Sequence, residues 1–296
     1  MSIDQITDNL NKELAEIKKD PYGFAREMLS RYGCDDNPNE ASFWFPEAEK
    51  TGFKVPKSLF VQLSVEAWYD AWCACLDGIT TGPAWDKLVT AVHEAIPEDF
   101  SYEKCFFRTG SSSGKFSFDH SCRIKDADSF TEAIASTWYE AEICGKPISR
   151  WLMFREFIDT DCKRPKIYGG LKLNTEVRIF WDADEKKVLG SFDYWYQASD
   201  EIKNLLEYHP EELAAYTEAE PEVRDEVASL TPALIEECRK RLPAMGLEGQ
   251  WSVDFMWTGS EWVLIDMAVA RQSAFYELIT YGAEHPGFGE SRTLID

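Results

Sequence analysis

The chain has 296 residues, of which 31 are basic and 53 acidic, giving a formal net charge of −22. A field of that sign repels phosphate-rich surfaces, so nucleic acid and anionic membranes are poor partners, and any phosphate must be held by local positive charge. No stretch approaches the roughly 20 apolar residues that span a bilayer, and the first residues lack a secretory-signal pattern. We therefore expect a cytoplasmic protein.

Helical and strand-like patterns alternate irregularly along the chain. Apolar residues at helical spacing predict helices over residues 5–33, 65–78, 84–100, 126–144 and 199–245. The last of these is predicted to break at its prolines. Residues 37–61 are rich in turn residues and end in a strand-like run. Strands are predicted over 105–107, 115–124, 150–159, 173–182, 188–196, 250–257 and 261–270, with a short helix from Ser273. This order favours a mixed α+β fold built from antiparallel hairpins.

The last predicted hairpin carries one aspartate on each strand. If the turn has three residues, 258–260, Asp254 and Asp266 become diagonal neighbours on one face, with backbones about 7–8 Å apart. Two carboxylates at that separation can reach one divalent cation. The alternative is a pair of exposed aspartates on the wet face of the hairpin.

Two other strands carry polar residues at suggestive positions. In "EVRIF" Glu176 and Arg178 share a face, so Arg178 can hold a phosphate oxygen, although an exposed Glu–Arg pair would look the same. The strand "WLMFREFID" ends in residues that can offer backbone groups to a flat hydrogen-bonding ring, with Asp159 near a sugar hydroxyl. An ordinary edge strand with a charged end is the alternative.

A loop of small residues, "TGSSSG", lies between Arg108 and Lys115. Small residues let successive backbone N–H groups approach an anion, and the two cations supply positive charge on an acidic protein. Phe116 follows Lys115, so the loop does not match the P-loop pattern. A disordered hairpin tip is the alternative.

The order of these pieces resembles the ATP-grasp superfamily over residues 50–275. Members hold ATP between two α+β subdomains and activate a carboxylate as an acyl phosphate. The resemblance implies an α+β ATP-grasp fold, with antiparallel sheets enclosing a nucleotide cleft. It divides the chain into a helical N-terminal segment (1–50), a pre-grasp region (51–100), a nucleotide-binding subdomain (101–158) and a C-terminal subdomain with the metal-binding hairpin (159–296).

The resemblance also assigns roles to individual residues. Arg108 stands where most members have a lysine for the α- and β-phosphates, and Arg178 corresponds to the arginine directed at the γ-phosphate. The flexible phosphate-covering loop matches Ser111, Ser112, Ser113, Gly114 and Lys115. The hinge that meets adenine and ribose matches Arg155, Glu156, Phe157, Ile158 and Asp159. Asp254 and Asp266 correspond to the Mg²⁺ ligands.

Two residues depart from the family pattern. Ala268 stands where an asparagine usually completes the metal site, and arginine replaces lysine at position 108, which grips phosphate as a planar fork. Both features are similar to an atypical branch in phage and bacterial genomes and to a related ATP-grasp assembly chaperone. Arg271, just past the hairpin, is expected to compensate for Ala268 by holding a phosphate or the acceptor.

The expected activity is ATP-dependent ligation of a carboxylate to an amine or thiol, with ATP and Mg²⁺ as cofactors and Arg178, Arg271 and Lys115 as catalytic residues. The acceptor, a small molecule or peptide, is expected near residues 160–175 and 195–225, where Trp195 can line its pocket. The rival is an ATP-binding chaperone or regulatory module without ligase turnover, whose acidic surface suits a basic protein. A purely structural protein without nucleotide is the third possibility.

Overall fold

A computed structural model describes residues 3–31, 34, 36–98, 100–101, 105–126, 129–146, 149–160, 163–197 and 199–279. The helices are α1 (Ile3–Lys19), α2 (Pro21–Arg31), α3 (Ala41–Lys50), α4 (Val65–Leu76), α5 (Pro83–Ala95), α6 (Phe118–Ser121), α7 (Phe130–Ile143), α8 (Tyr194–Gln197), α9 (Ser199–Leu205) and α10 (Pro210–Arg241). The strands are β1 (Ser58–Gln62), β2 (Cys105–Thr109), β3 (Arg123–Ile124), β4 (Trp151–Glu156), β5 (Lys166–Ile167), β6 (Leu171–Lys172), β7 (Glu176–Asp182), β8 (Lys187–Asp193), β9 (Gln250–Trp257) and β10 (Trp262–Val269).

Two four-stranded antiparallel sheets organise the molecule. Sheet I has the strand order β1-β4-β2-β3, and sheet II has the order β10-β9-β7-β8. Strands β5 and β6 form a separate two-stranded ribbon. The predicted α+β class, with antiparallel sheets on either side of a pocket, is confirmed.

Each sheet buries one face against helices, and residues of the other face line the pocket; at β7 and β8 that other face also packs against the segment after β10. In sheet I, Cys105 and Phe107 of β2 pack in a core with α2, α4, α5 and α7, whereas Phe106 and Arg108 face the pocket. This alternation follows from the two-residue period of a strand. In sheet II the buried face packs against α10 and α3.

The long helix α10 differs from the sequence expectation. The helical region was predicted to break at its prolines; it does break before Pro210, but α10 runs unbroken through Pro221 and Pro232. A proline inside a helix costs about 3 kcal/mol because a hydrogen bond is lost and its ring clashes with the previous turn. Residues of α10 such as Val223 and Leu234 are buried against sheet II, and this packing offsets the cost.

Two further segments also differ from prediction. Residues 37–61, predicted as turns and a strand, contain the helix α3 with Pro46 inside it. The predicted strand 115–124 is instead a 3₁₀ turn followed by α6, and only Arg123–Ile124 pair with β2. The alternating pattern is overridden because Phe118 is buried and Ser121 Oγ donates to the carbonyls of Gly114 and Ser117.

The turn before α3 connects the two sheets. Asn39 Oδ1 accepts a hydrogen bond from the backbone N–H of Val269 at the end of β10, at 2.6 Å. Two residues later, the N–H of Ala41 donates to the carbonyl of Gly110 just after β2, at 2.8 Å. The segment therefore ties the end of sheet II to the loop that follows Arg108.

In the described part of the chain, every helix is too short or too polar to cross a bilayer. The predicted domain boundaries stay predictions. Strand β1, within the predicted pre-grasp region, pairs with β4 and so belongs to the same sheet as the predicted nucleotide-binding strands.

Candidate functional site

A cavity of about 900 Å³, counting the space at its open mouth, lies between the two sheets. Sheet I contributes Phe106, Arg108 and Arg155, and sheet II contributes Asp254 and Asp266. The structure thus gathers predicted site residues from strands that are far apart in the sequence.

Two arginines of sheet I reach across the pocket to β10. Arg108, only 4% exposed, donates from Nη1 to Asp266 Oδ1 at 2.7 Å and from Nε to the carbonyl of Thr109. The guanidinium of Arg155 lies 4.5 Å from the ring centroid of Phe106 and donates to the carbonyl of Ile265. Burial, followed by the repulsion of Arg108, lowers the pKa of Arg155 to about 10. Positive charge is therefore concentrated at one wall of the pocket.

The register of the last hairpin corrects the sequence expectation. The turn has four residues, Thr258–Glu261, rather than three, and Gly259 within it has φ = 100°, which glycine adopts without strain. A β-bulge follows at Ile265, so Asp254 lies directly opposite Asp266 and not diagonal to it. Because residues two apart share a face, an unbulged strand would place Asp266 on the core side with Leu264. The bulge turns Asp266 into the pocket.

Arg178 pairs with one of the two predicted metal ligands. It lies opposite Asp254 on the neighbouring strand and grips both carboxylate oxygens, with Nε and Nη2 each at 2.7 Å. Its guanidinium lies 4.9 Å from the ring centroid of Tyr194, and Nη1 donates to the carbonyl of Ala274. Burial opposes its charge, but Asp254 outweighs it and raises the pKa of Arg178. Arg178 lies beside Asp254 on the same face of sheet II and is not among the residues that line the pocket, so its predicted contact with the γ-phosphate stays a prediction.

The small-residue loop is ordered by its own hydrogen bonds. The N–H and Oγ1 of Thr109 both donate to the carbonyl of Ser112, which closes the loop. Of its five predicted phosphate-covering residues, Ser113 and Lys115 line the pocket, whereas Ser111, Ser112 and Gly114 do not. Lys115 is hydrogen-bonded to the Tyr194 hydroxyl, and its Nζ lies 4.4 Å from that ring's centroid. Burial opposes the ammonium charge, yet Tyr194 outweighs it and raises the pKa of Lys115.

The predicted hinge lies along one rim of the pocket. Glu156, Phe157, Ile158 and Asp159 all line it. The hydrogen bond from Lys172 Nζ, at 2.9 Å, lowers the pKa of the exposed Asp159 carboxyl. The rim can therefore offer backbone, an aromatic ring and a carboxylate to one ligand.

Arg271 and Ala268 do not contribute pocket side chains. Arg271 is exposed on the 3₁₀ turn after β10 and lies outside the pocket lining. Ala268 lies opposite Ser252 on β9, and its methyl group cannot ligate a metal. The geometry therefore gives no support to a compensating role for Arg271.

Several pocket residues were not predicted as site residues. Glu176, Tyr194, Lys172 and Asn174 line the pocket, as does Trp195, which was expected near the acceptor. Burial raises the pKa of Glu176 to about 8, with Lys115 opposing the shift. The only signal for Glu176 in the sequence was its position in "EVRIF", two residues before Arg178, which places both on one face of the strand. That placement does not show what the face contacts, so the pocket position of Glu176 was not predicted.

The pocket suits a nucleotide with a bound cation. Aromatic rings and the rim backbone suit a base, and Arg108, Arg155 and Lys115 suit phosphates. Asp254 and Asp266 face each other, and Mg²⁺ takes carboxylate oxygens. Within the described ranges no three Asp, Glu, His or Cys side chains gather around one point, so the other ligands of Mg²⁺ would be phosphate oxygens and water.

Comparisons with known proteins concern the fold alone. No protein-family model matches the sequence, and no curated protein matches it. C-terminally truncated Cdc123 from Schizosaccharomyces pombe is similar at 12% identity and TM-score 0.46, covering 83% of this chain and 89% of that one. A RimK domain ATP-grasp protein from Sphaerobacter thermophilus is similar at 14% identity and TM-score 0.37, covering 82% and 62%. The VanG D-Ala:D-Ser ligase from Enterococcus faecalis is similar at 13% identity and TM-score 0.39, covering 78% and 52%.

Proposed function

We propose that the chain binds ATP in the pocket between its two sheets and uses it to ligate a carboxylate to an amine or thiol. One observation carries the proposal: a protein of net charge −22 brings Arg108, Arg155 and Lys115 into one pocket together with Asp254 and Asp266. Guanidinium and ammonium groups suit phosphate oxygens and carboxylates suit a divalent cation, so this combination favours a polyphosphate with a bound cation as the ligand.

Different residues of the pocket would contact different parts of the nucleotide. Glu156, Phe157 and Ile158 would hold the base and Asp159 the ribose, because they form the rim. Arg108 and Lys115 would contact phosphates, while Asp254 and Asp266 would hold Mg²⁺. Bound Mg²⁺ would offset charge on the β- and γ-phosphates. Arg178 would keep the Asp254 carboxylate in position through its two hydrogen bonds.

The proposed reaction has two steps. A carboxylate oxygen of the acceptor attacks the γ-phosphorus, the bond to the bridging oxygen breaks, and ADP leaves with the electron pair. The amine or thiol then attacks the acyl carbon, releasing inorganic phosphate and a proton. Arg108 and Lys115 would stabilise the charge on the transferred group, since phosphoryl transfer depends on positioning and electrostatics. The acceptor would lie near Lys172, Asn174 and Trp195.

A second function is favoured by Ala268. Without an oxygen ligand at that position, the site offers two carboxylates, which suffices to bind a nucleotide but weakens the case for turnover. The alternative is an ATP-binding chaperone or regulatory module for a basic protein, because the strongly negative surface attracts positive charge.

Calorimetric titration of ATP with Mg²⁺ tests ATP binding, which both proposed functions require. We expect binding by the wild type and by Arg239→Ala, a control arginine on the exposed surface of α10. Arg108→Ala should bind at least about tenfold more weakly, equivalent to about 1.4 kcal/mol. Absence of binding by the wild type would reject both functions.

Acceptor-dependent ADP release separates the ligase from the alternative. Candidate carboxylates and amines are added with ATP, and hydroxylamine is used to trap an acyl phosphate as a hydroxamate. A ligase should release ADP and form hydroxamate only with its acceptor. ATP binding that a basic protein strengthens, with neither product formed, would favour the chaperone.

A further inference from the structure

The two candidate metal ligands are held in different ways. Asp254 is 6% exposed and gives both oxygens to Arg178, its neighbour within sheet II. The side chain of Asp266 is 35% exposed, and its Oδ1 accepts from Arg108 of sheet I and from the N–H of Met267. Only the Asp266 pair crosses the pocket.

A divalent cation near Asp266 would meet positive charge. Arg108 binds the carboxylate itself, and Arg155 donates to the carbonyl of the preceding residue, Ile265. Guanidinium groups bonded to Asp266 and to the neighbouring carbonyl repel a cation at this site. The site is partly desolvated, so the repulsion is stronger than in water. Burial opposes the charge of Asp266, but Arg108 outweighs it and lowers the pKa of that carboxyl.

We propose that Arg108 acts as a switchable partner for Asp266, so that the site takes a divalent cation only when a polyphosphate draws Arg108 away. The inference rests on the proposed function, because it assumes that phosphates bind in this pocket. A guanidinium forms parallel hydrogen bonds with phosphate as readily as with carboxylate, so a polyphosphate can replace Asp266 as its partner. The freed Asp266 then faces Asp254 across the hairpin.

The exchange couples the two ligands. Polyphosphate raises the affinity for the cation, and by thermodynamic reciprocity the cation raises the affinity for polyphosphate by the same factor. Asp254 takes no part in the exchange, because both of its oxygens accept from the buried Arg178, which is not among the residues that line the pocket. Selectivity for the metal-bound nucleotide would thus arise from one ion pair across the cleft.

Metal binding without nucleotide tests the proposal. Mn²⁺ alone is titrated into each protein, and free Mn²⁺ is followed by electron paramagnetic resonance. We expect Arg108→Gln to bind Mn²⁺ about tenfold or more tightly than the wild type. Adding Asp266→Asn to that variant should abolish the gain, and Arg108→Lys, which keeps the charge without the planar fork, should give a smaller gain. Circular dichroism checks that every variant is folded.

The outcomes separate this proposal from the nucleotide-binding function. If the wild type and Arg108→Gln bind Mn²⁺ equally, or if the gain survives Asp266→Asn, the exchange is overturned while ATP binding can still stand. If the wild type does not bind ATP in the calorimetric titration, the proposed function fails, whatever Mn²⁺ does. A gain confined to variants that keep Asp266 but lack Arg108 supports the exchange.

Discussion

Two Arg–Asp pairs of equal length connect the same hairpin to its surroundings in opposite ways. Arg178 and Asp254 come from adjacent strands of sheet II and are almost fully buried, whereas Arg108 and Asp266 join different sheets, and the side chain of Asp266 is 35% exposed. Both pairs are 2.7 Å long. Distance therefore does not distinguish a permanent contact from an exchangeable one. Burial differs between the two pairs, and in the proposed exchange a polyphosphate competes for Arg108 alone.

The largest effect is expected from breaking the buried pair. Arg178→Ala leaves the Asp254 carboxylate desolvated without its partner, so the free energy of unfolding should fall by about 3 kcal/mol. Urea denaturation at pH 7 measures the change. The double variant Arg178→Ala with Asp254→Ala removes the uncompensated charge and should recover part of the loss. Equal loss in the single and double variants would show that Arg178 stabilises through packing alone.

The buried acid Glu176, on the same face of sheet II as Arg178, extends the comparison to the pH dependence of stability. Glu176 keeps its proton in the folded protein up to about pH 8, whereas the unfolded chain releases it near 4.5. The folded state thus binds more protons in this window, and wild-type stability should fall as pH rises, by at most about 1.4 kcal/mol per pH unit. Glu176→Gln lacks that proton, so its stability relative to wild type should increase from pH 5 to pH 8.

Urea denaturation at half-unit pH intervals follows this difference. The matched control is Glu261→Gln, at an exposed position in the hairpin turn. If the difference between Glu176→Gln and wild type is the same at every pH, Glu176 titrates normally and the proposed neutral state at pH 7 is wrong.

Breaking the cross-cleft pair should cost less stability than breaking the buried one. Arg108→Ala leaves Asp266 partly accessible to water, so we expect a loss of about 1 kcal/mol in the free energy of unfolding. The same variant should show the large loss of ATP affinity described above. Destabilisation as large as that of Arg178→Ala would mean that the pair is a structural contact like the buried one.

The smallest effect is expected at an exposed pair that joins the turn of the same hairpin to the segment before β1. Lys54 and Glu261 are 2.7 Å apart, but about half of each side chain is exposed. Water and salt screen such a pair, so Lys54→Ala should leave both the denaturation midpoint and ATP affinity unchanged within error. A measurable loss would show that this contact also helps to hold sheet II in place against the segment before β1.

Sequence reasoning found many pocket residues but not their contacts. Arg108, Lys115, the 155–159 rim, Asp254 and Asp266 were predicted at the site, and they line the pocket. Arg178 was predicted to face phosphate, and this stays a prediction; the structure pairs it with Asp254 on the same face, because period-two alternation gives a face but not the neighbours on it. The continuity of α10 through Pro221 and Pro232 and the turn before α6 escaped prediction because tertiary packing overrides local propensity.

Hydrophobic periodicity in the sequence by itself determined the α+β class, most helices and the two hairpins of sheet II, since these depend on local spacing and turn residues. Only the tertiary structure decided which charges meet. The bulge at Ile265 places Asp266 on the pocket face, and the two sheets bring Arg108 to it across 158 positions of sequence. A bulge adds one residue to one strand and has no characteristic residue type by which the sequence would reveal it. Contacts between sheets depend on packing that no local pattern encodes.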